Sequence, residues 1–213
     1  MRLVAFDFDG TLSDSEMTVL LGEQCGVADR MATVTERAMN DEISYAESLR
    51  ERAALLDGLS LDDAADAFGQ VRLRGGAGEL LARLNDAGHH TAILTGGFER
   101  GVDRALARAG VSVDTVVANR LPESGGRLIG EVEGPLIEGT KDDALANLAE
   151  TQAVEMEDTV AVGDGANDLP MLEVAGLAVG FEPKAAVAPA CDVVVESMAE
   201  LETVLRERGV LQA

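Results

Sequence analysis

Four short segments carry residues whose types and spacing suit chemistry at an anionic centre. Asp7 and Asp9 stand two apart in "DFDGT", directly behind the apolar run Leu3-Val4-Ala5-Phe6. "LTGGF" sets Thr95 before Gly96 and Gly97, "GTKDD" carries Lys141, and "GDGANDLPML" packs Asp164, Asn167 and Asp168 around two glycines. Taken singly, each has a plainer reading. D-x-D-G also describes a turn with solvated charges, T-G-G a simple turn, and Lys141 a solvated lysine. In "GDGANDLPML", Asn167 or Asp168 could cap a helix that Pro170 is placed to start.

Together the segments point to phosphoryl chemistry. Clustered carboxylates supply the hard oxygen ligands that Mg²⁺ requires, and a glycine-rich strand end can cradle a phosphate with backbone N–H groups. A lysine opening a helix opposes the macrodipole, and a nearby phosphate explains that placement. An ionised aspartate is a nucleophile only if metal and lysine offset its repulsion from the phosphate. The second aspartate could then carry the proton to and from the reacting oxygens, provided the two pKa values are pushed apart. An EF-hand loop is excluded, because Leu12 and Thr18 occupy its glycine and glutamate positions. A dinucleotide fingerprint fails as well, since "GDGAND" lacks the third glycine.

The elements that must position these residues follow from periodicity. A continuously apolar first strand is followed, from Glu16 to about Val71, by helical spacing throughout: Met17/Leu20/Leu21, Met31/Val34/Ala38, Tyr45/Leu49/Leu56 and Leu61/Ala64/Ala65/Phe68. After Arg74-Gly75-Gly76 the signals alternate. Helices near 77–87 and 99–109 intersperse with strands "HTAILT" and "DTVVA", and "NRLPESGGRLIGEVEG" reads as a hairpin. A helix from Lys141, strand "TVAVG", a helix at 168–175, strands "LAVGF" and "CDVVVE" and a closing helix at 198–208 complete the chain. The expectation is an α/β fold: a doubly wound, Rossmann-like parallel sheet formed by 1–14 and 73–213, with an inserted helical cap at 15–72. All four polar segments then fall at strand ends, where such sheets bind ligands.

Composition narrows the partners. The 213 residues carry 39 acidic and 17 basic side chains, a net charge of −22, and the only lysines are Lys141 and Lys184. Such a surface repels nucleic acid and anionic membranes and leaves a small molecule as the expected partner. It also suggests adaptation to high salt, where screening removes self-repulsion. Cys25 and Cys191 form no metal or disulfide pattern, and no apolar run approaches the ~18 residues of a membrane span, so a cytoplasmic protein is expected. His89 and His90 have no partner at metal spacing and read as a surface pair.

The four ordered motifs resemble those of the haloacid dehalogenase-like phosphatases: a D-x-D-x-T strand end, a Ser/Thr strand end, a lysine and an acidic G-D-x-x-x-D loop. Within that superfamily "DFDGTLSDSE", "ISYAESLRERAALL", "LTGGFERGV", "VVANRL", "GTKDDAL" and "DTVAVGDGANDLPML" are similar, in order, to the phosphoserine phosphatase family. The resemblance implies Asp7 as nucleophile, Asp9 as acid/base, and Mg²⁺ held by Asp7, the backbone carbonyl of Asp9, and Asp164. Thr95, Gly96 and Lys141 would bind phosphate, with Asn167 near the substrate and Asp168 supporting the metal shell. In the cap, Glu16 would meet the substrate's amino group and Arg50 its carboxylate, with Met39 and Tyr45 closing over it. The implied reaction is hydrolysis of O-phospho-L-serine in serine biosynthesis. A phosphatase or phosphotransferase for another small phosphorylated metabolite, and a non-enzymatic phospho-aspartate receiver module, are the competing readings.

Overall fold

The computed structural model describes residues 1–40 and 42–212, the side chain of Met39 excepted. β1 (Leu3–Phe6) is fully buried, as an apolar strand covered on both faces must be. Four helices follow it: α1 (Met17–Cys25), α2 (Ala28–Met39), α3 (Tyr45–Ala54) and α4 (Leu61–Phe68). Alternation then begins with α5 (Ala77–Asp86), β2 (His90–Phe98), α6 (Glu99–Ala109) and β3 (Thr115–Asn119). A hairpin of β4 (Glu123–Ser124) and β5 (Arg127–Leu128) precedes α7 (Lys141–Thr151), β6 (Thr159–Gly163) and α8 (Leu169–Val174). The chain closes with β7 (Leu177–Phe181), β8 (Val193–Val195) and α9 (Met198–Glu207).

Among the described residues, six strands form one parallel sheet in the order β3-β2-β1-β6-β7-β8, the doubly wound arrangement expected. Successive β1 side chains serve opposite layers. Val4 and Phe6 pack with Leu80, Leu84, Val102 and Leu201 of α5, α6 and α9, whereas Leu3 and Ala5 pack with Leu145, Ala149, Met171 and Leu172 of α7 and α8. Three expected elements differ in extent. β2 continues through Thr95-Gly96-Gly97 to Phe98, but its pairing with β3 shifts between Leu94 and Phe98, so the glycines leave the ladder as a bulge. β8 keeps only three residues of "CDVVVE". The helix expected at 168–175 begins as a 3₁₀ turn over Ala166–Asp168.

The inserted helices share the first apolar layer. Met17, Leu21, Met31, Leu49, Ala64 and Phe68 belong to the same buried cluster as Val4 and Phe6. Phe68 of α4 meets Phe98 edge-on, ring centres 6.3 Å apart, a geometry aromatic quadrupoles favour. Ser44 starts α3 with a reciprocal capping box to Glu47, and Ser60 caps α4 by accepting from the Asp63 N–H at 3.1 Å. The hairpin reaches back to the turn between these two helices. Gly58 N–H donates to the Leu128 carbonyl at 2.9 Å, Leu128 N–H to Leu59 at 2.9 Å, and Leu61 N–H to Gly126 at 3.1 Å. One side of the helical insertion is therefore stitched to the sheet layer by backbone bonds.

His89 and His90 are half-buried rather than a surface pair. The Arg2 N–H donates to His89 Nδ1 at 3.1 Å, which leaves Nε2 to donate to the Val210 carbonyl at 2.5 Å. His90 Nε2 lies 2.9 Å from Thr115 Oγ1. Both hold strand ends to their neighbours.

Candidate active site

Register brings the candidate site residues together. Phe6 is level with Ile93 on β2 and Val162 on β6, so Asp7, Thr95 and Asp164 emerge from three adjacent strands within two residues of that level. The Asp7 N–H extends the ladder by donating to the Val162 carbonyl at 2.8 Å. Lys141, first residue of α7, is 3% exposed, and its Nζ lies 2.5 Å from Asp7 Oδ1 and 2.5 Å from Asp168 Oδ1. These two charged hydrogen bonds offset a helix end that disfavours a cation.

The Asp168 side chain makes no cap bond to α8. It is fully buried, and its second oxygen accepts from the backbone N–H groups of Asp164 and Gly165, each at 2.9 Å. It thus fixes Lys141 with one oxygen and the acidic loop with the other. Thr11, completing the D-x-D-G-T segment, donates its hydroxyl to Asp164 Oδ1 at 3.2 Å.

Asp9 follows Asp7 by two residues. The Met17 N–H, at the start of α1, donates to its Oδ2 at 3.3 Å, whereas the buried Oδ1 has no hydrogen-bond partner among the described residues. Burial first, then Glu16 and Asp7, push its pKa well above the ordinary carboxylate value. Burial and the Asp168 and Asp164 charges likewise push Asp7 up to about 8, against the pull of Lys141. Asp164 is raised by burial and Asp168, opposed by Lys184 and Thr11. The site is short of positive charge.

That deficit, with the donor chemistry, fits a divalent cation. Carboxylate oxygens of Asp7, Asp164 and Asp168 lie within 4.8 Å of one another, and the set is all oxygen, as a hard ion requires. Asp168 has both oxygens engaged, which suits it to supporting the ligands Asp7 and Asp164.

The phosphate-binding candidates converge around the β2 bulge. Thr95 is 1% exposed, and its Oγ1 accepts from the Gly97 N–H at 2.9 Å, leaving its hydroxyl proton to donate elsewhere. Asn119, fully buried, donates to the Gly96 carbonyl at 3.1 Å and accepts from the Leu136 N–H at 3.1 Å, clamping the bulge to the loop before α7. A cavity of about 130 Å³ opens here, lined by Tyr45, Gly96, Leu136, Gly139, Thr140, Lys141, Asn167 and Pro170. A larger groove of about 400 Å³, around Ala149 and Val154, lies toward the far end of α7 and holds none of these groups.

From the helical insertion come Glu16, exposed at the N-terminus of α1, and Tyr45, whose hydroxyl rests against Gly96. The side chain of Met39 lies outside the described residues. Arg50 is exposed and pairs with Glu138 at 2.5 Å. Arg52 is the half-buried arginine beside the site: its Nη1 donates to Thr18 Oγ1 at 3.3 Å. Burial lowers its pKa, and the charges of Tyr45, Glu16 and Asp9 act against that shift. Seven residues after Tyr45, Arg52 falls on the same face of α3, while Arg50 points about 160° away from it. Sequence reasoning also passed over Asn119, whose role depends on contacts remote in the chain.

A parallel sheet that gathers the ion-paired Asp7, the nearby carboxylate of Asp9 and the buried Lys141 at its strand ends frames a site suited to an anionic group. The chain belongs to the haloacid dehalogenase-like hydrolase family, whose model matches residues 4–173. It is 53% identical over 210 residues to a phosphoserine phosphatase of Halobacterium salinarum, covering 99% of this chain and 100% of that protein. A phosphoserine phosphatase of Methanocaldococcus jannaschii is 34% identical, over 92% of each chain. Among solved structures, a phospho-aspartyl intermediate analogue of phosphoserine phosphatase superposes with a TM-score of 0.87 at 33% identity, covering 95% of this chain and 98% of that one. A substrate-bound phosphoserine phosphatase gives 0.87 at 32% identity, covering 97% of each.

Proposed function

We propose that the protein is a Mg²⁺-dependent phosphomonoesterase that hydrolyses O-phospho-L-serine to L-serine and phosphate through an aspartyl-phosphate on Asp7. The observation that carries this reading is the division of labour between Asp7, ion-paired to Lys141, and Asp9, whose buried Oδ1 is unpartnered among the described residues. Both the 53% identity to a phosphoserine phosphatase and the likeness to a phospho-aspartyl analogue structure support it.

Asp7 attacks the phosphorus with its free oxygen as the bond to the seryl oxygen breaks, and Asp9 donates its proton to that leaving oxygen. Raising the pKa of Asp9 by burial keeps the proton available at neutral pH. Asp9, now a carboxylate, then takes a proton from the water that attacks phosphorus, and Asp7 is released with inorganic phosphate. Lys141 and the Thr95 hydroxyl hold the phosphoryl oxygens throughout. Mg²⁺, held by Asp7, the backbone carbonyl of Asp9, and Asp164, would supply the positive charge that lets an anionic nucleophile approach a phosphate.

Residues 15–72 serve as the cap and supply recognition. Arg52 replaces Arg50 as the partner of the substrate carboxylate, since a half-buried guanidinium facing Tyr45 and Glu16 can offer two parallel hydrogen bonds. Glu16, at the edge of the same space, meets the amino group. A panel of phosphomonoesters with Mg²⁺ tests the reading. Phosphoserine should show the highest kcat/KM, and equal use of phosphoglycerate or nucleoside monophosphates would overturn the substrate assignment.

A further inference from the structure

The chain contains a single tyrosine, and the fold brings its hydroxyl to the phosphate-binding bulge. Tyr45 is the first residue of α3, fixed there by the Ser44–Glu47 capping box. Side chains on a helix lean toward its N-terminus, so this one extends beyond α3 and onto the sheet layer. The hydroxyl lies so close to Gly96 that any Cβ at that position would overlap it. Although 39% of the residue is exposed, the phenol lines the same cavity as Lys141 and Asn167.

Among the described residues, no hydrogen bond to the phenol explains that position. Its neighbours Lys141, Arg52, Asp7 and Asp168 act on it through charge, and none through a hydrogen bond. Burial raises its pKa above the ordinary 10, so it keeps its proton and remains a donor. A donor without an acceptor, set over a glycine bulge and beside a buried lysine, matches a ligand oxygen bearing negative charge.

We propose that the Tyr45 hydroxyl donates a hydrogen bond to a non-bridging oxygen of the phosphoryl group held over Gly96. The cap thereby binds the phosphoryl group itself and not only the amino-acid portion of the substrate. This inference rests on the phosphomonoesterase reading and adds a phosphoryl ligand from the cap to those of the sheet layer.

The test is Tyr45→Phe, which removes one oxygen from a partly exposed ring, with its melting temperature compared against the parent to verify folding. Orthovanadate inhibition and kcat/KM for phosphoserine and for p-nitrophenyl phosphate are measured on both proteins. A hydrogen bond to the phosphoryl group is common to all three, so vanadate inhibition should weaken and both kcat/KM values fall by about 10- to 100-fold. Unchanged vanadate inhibition and p-nitrophenyl phosphate hydrolysis, with any loss confined to phosphoserine, would overturn the assignment and leave the phosphatase reading standing. A parent protein that neither releases phosphate from any ester nor responds to vanadate would overturn that reading, and this assignment with it.

Discussion

Lys141 Nζ lies 2.5 Å from Asp7 Oδ1, with both side chains nearly excluded from solvent. The contact joins the first residue of a helix to the residue that ends the central strand, across 134 positions of chain. It does not neutralise the site. Asp168 shares the same ammonium, and Asp164 adds a further carboxylate within metal-binding range. Burial first, and then the Asp168 and Asp164 charges, push Asp7 up to about 8 against the pull of Lys141.

A stability cost follows from that value. Between the ordinary 3.8 and about 8, the folded chain keeps a proton on Asp7 that the unfolded chain has released, so stability falls as pH rises through this window. Asp7→Asn removes that contribution. In chelator at pH 8 the variant should melt at or above the parent, with the difference shrinking toward pH 4, while turnover falls by about four orders of magnitude or more. Thermal melts across pH decide it, and a variant that melts several degrees lower at pH 8 would contradict the account.

The two arginines of α3 should separate cleanly. Arg52→Ala should lower kcat/KM for phosphoserine by roughly 10- to 100-fold, the scale of a charged hydrogen bond. Arg50→Ala removes only a surface ion pair to Glu138 and should change it by less than about 3-fold. Phosphoethanolamine, which lacks the carboxylate, provides the control: its hydrolysis should be insensitive to Arg52→Ala. Steady-state kinetics with both esters read this directly.

Asn119→Ala should loosen the β2 bulge. The fully buried amide bonds Gly96 and Leu136, and its loss leaves a carbonyl and an N–H unsatisfied, at a cost of about 1–3 kcal/mol each. A lower melting temperature together with weaker vanadate inhibition is expected. A loss of stability with inhibition unaltered would show that the clamp supports the fold alone.

With a net charge of −22, the chain should gain stability with salt. Screening shortens the range of self-repulsion from about 10 Å at 0.1 M to about 3 Å at 1 M. A rise in melting temperature of about 5 °C or more is expected between low salt and molar KCl, and a flat profile would remove the reading of the acidic surface as salt adaptation.

Most of the architecture was legible because its signals are local. Leu3 to Phe6 reads as a strand buried on both faces, and the helix read near 99–109 is α6, ended by Gly110 in a left-handed conformation that favours glycine. Asp7, Asp9, Lys141 and Asp164 were legible as motifs because each follows closely on a strand or opens a helix, and Thr95 because it precedes a glycine pair. Rotational phase within the insertion was harder to read. Choosing Arg52 over Arg50 needs the face of α3 that turns to the sheet, and Tyr45, Leu49 and Arg52 at seven-residue span carried that signal. Asn119 gave none, since its partners lie 17 and 23 residues away and a buried asparagine looks like a loop residue. The bulge after Leu94 was equally hidden, because a glycine pair ending a strand does not reveal whether pairing resumes beyond it.

The central claim is that Asp7 carries the phosphoryl group. Asp9→Asn lacks the proton carrier that resolves the intermediate, so phosphoserine labelled in its phosphate should leave acid-quenched protein carrying label on the peptide that contains Asp7. The same label should be absent from Asp7→Asn. Label on another residue, or steady phosphate release by Asp7→Asn at the parent's rate, would contradict the account.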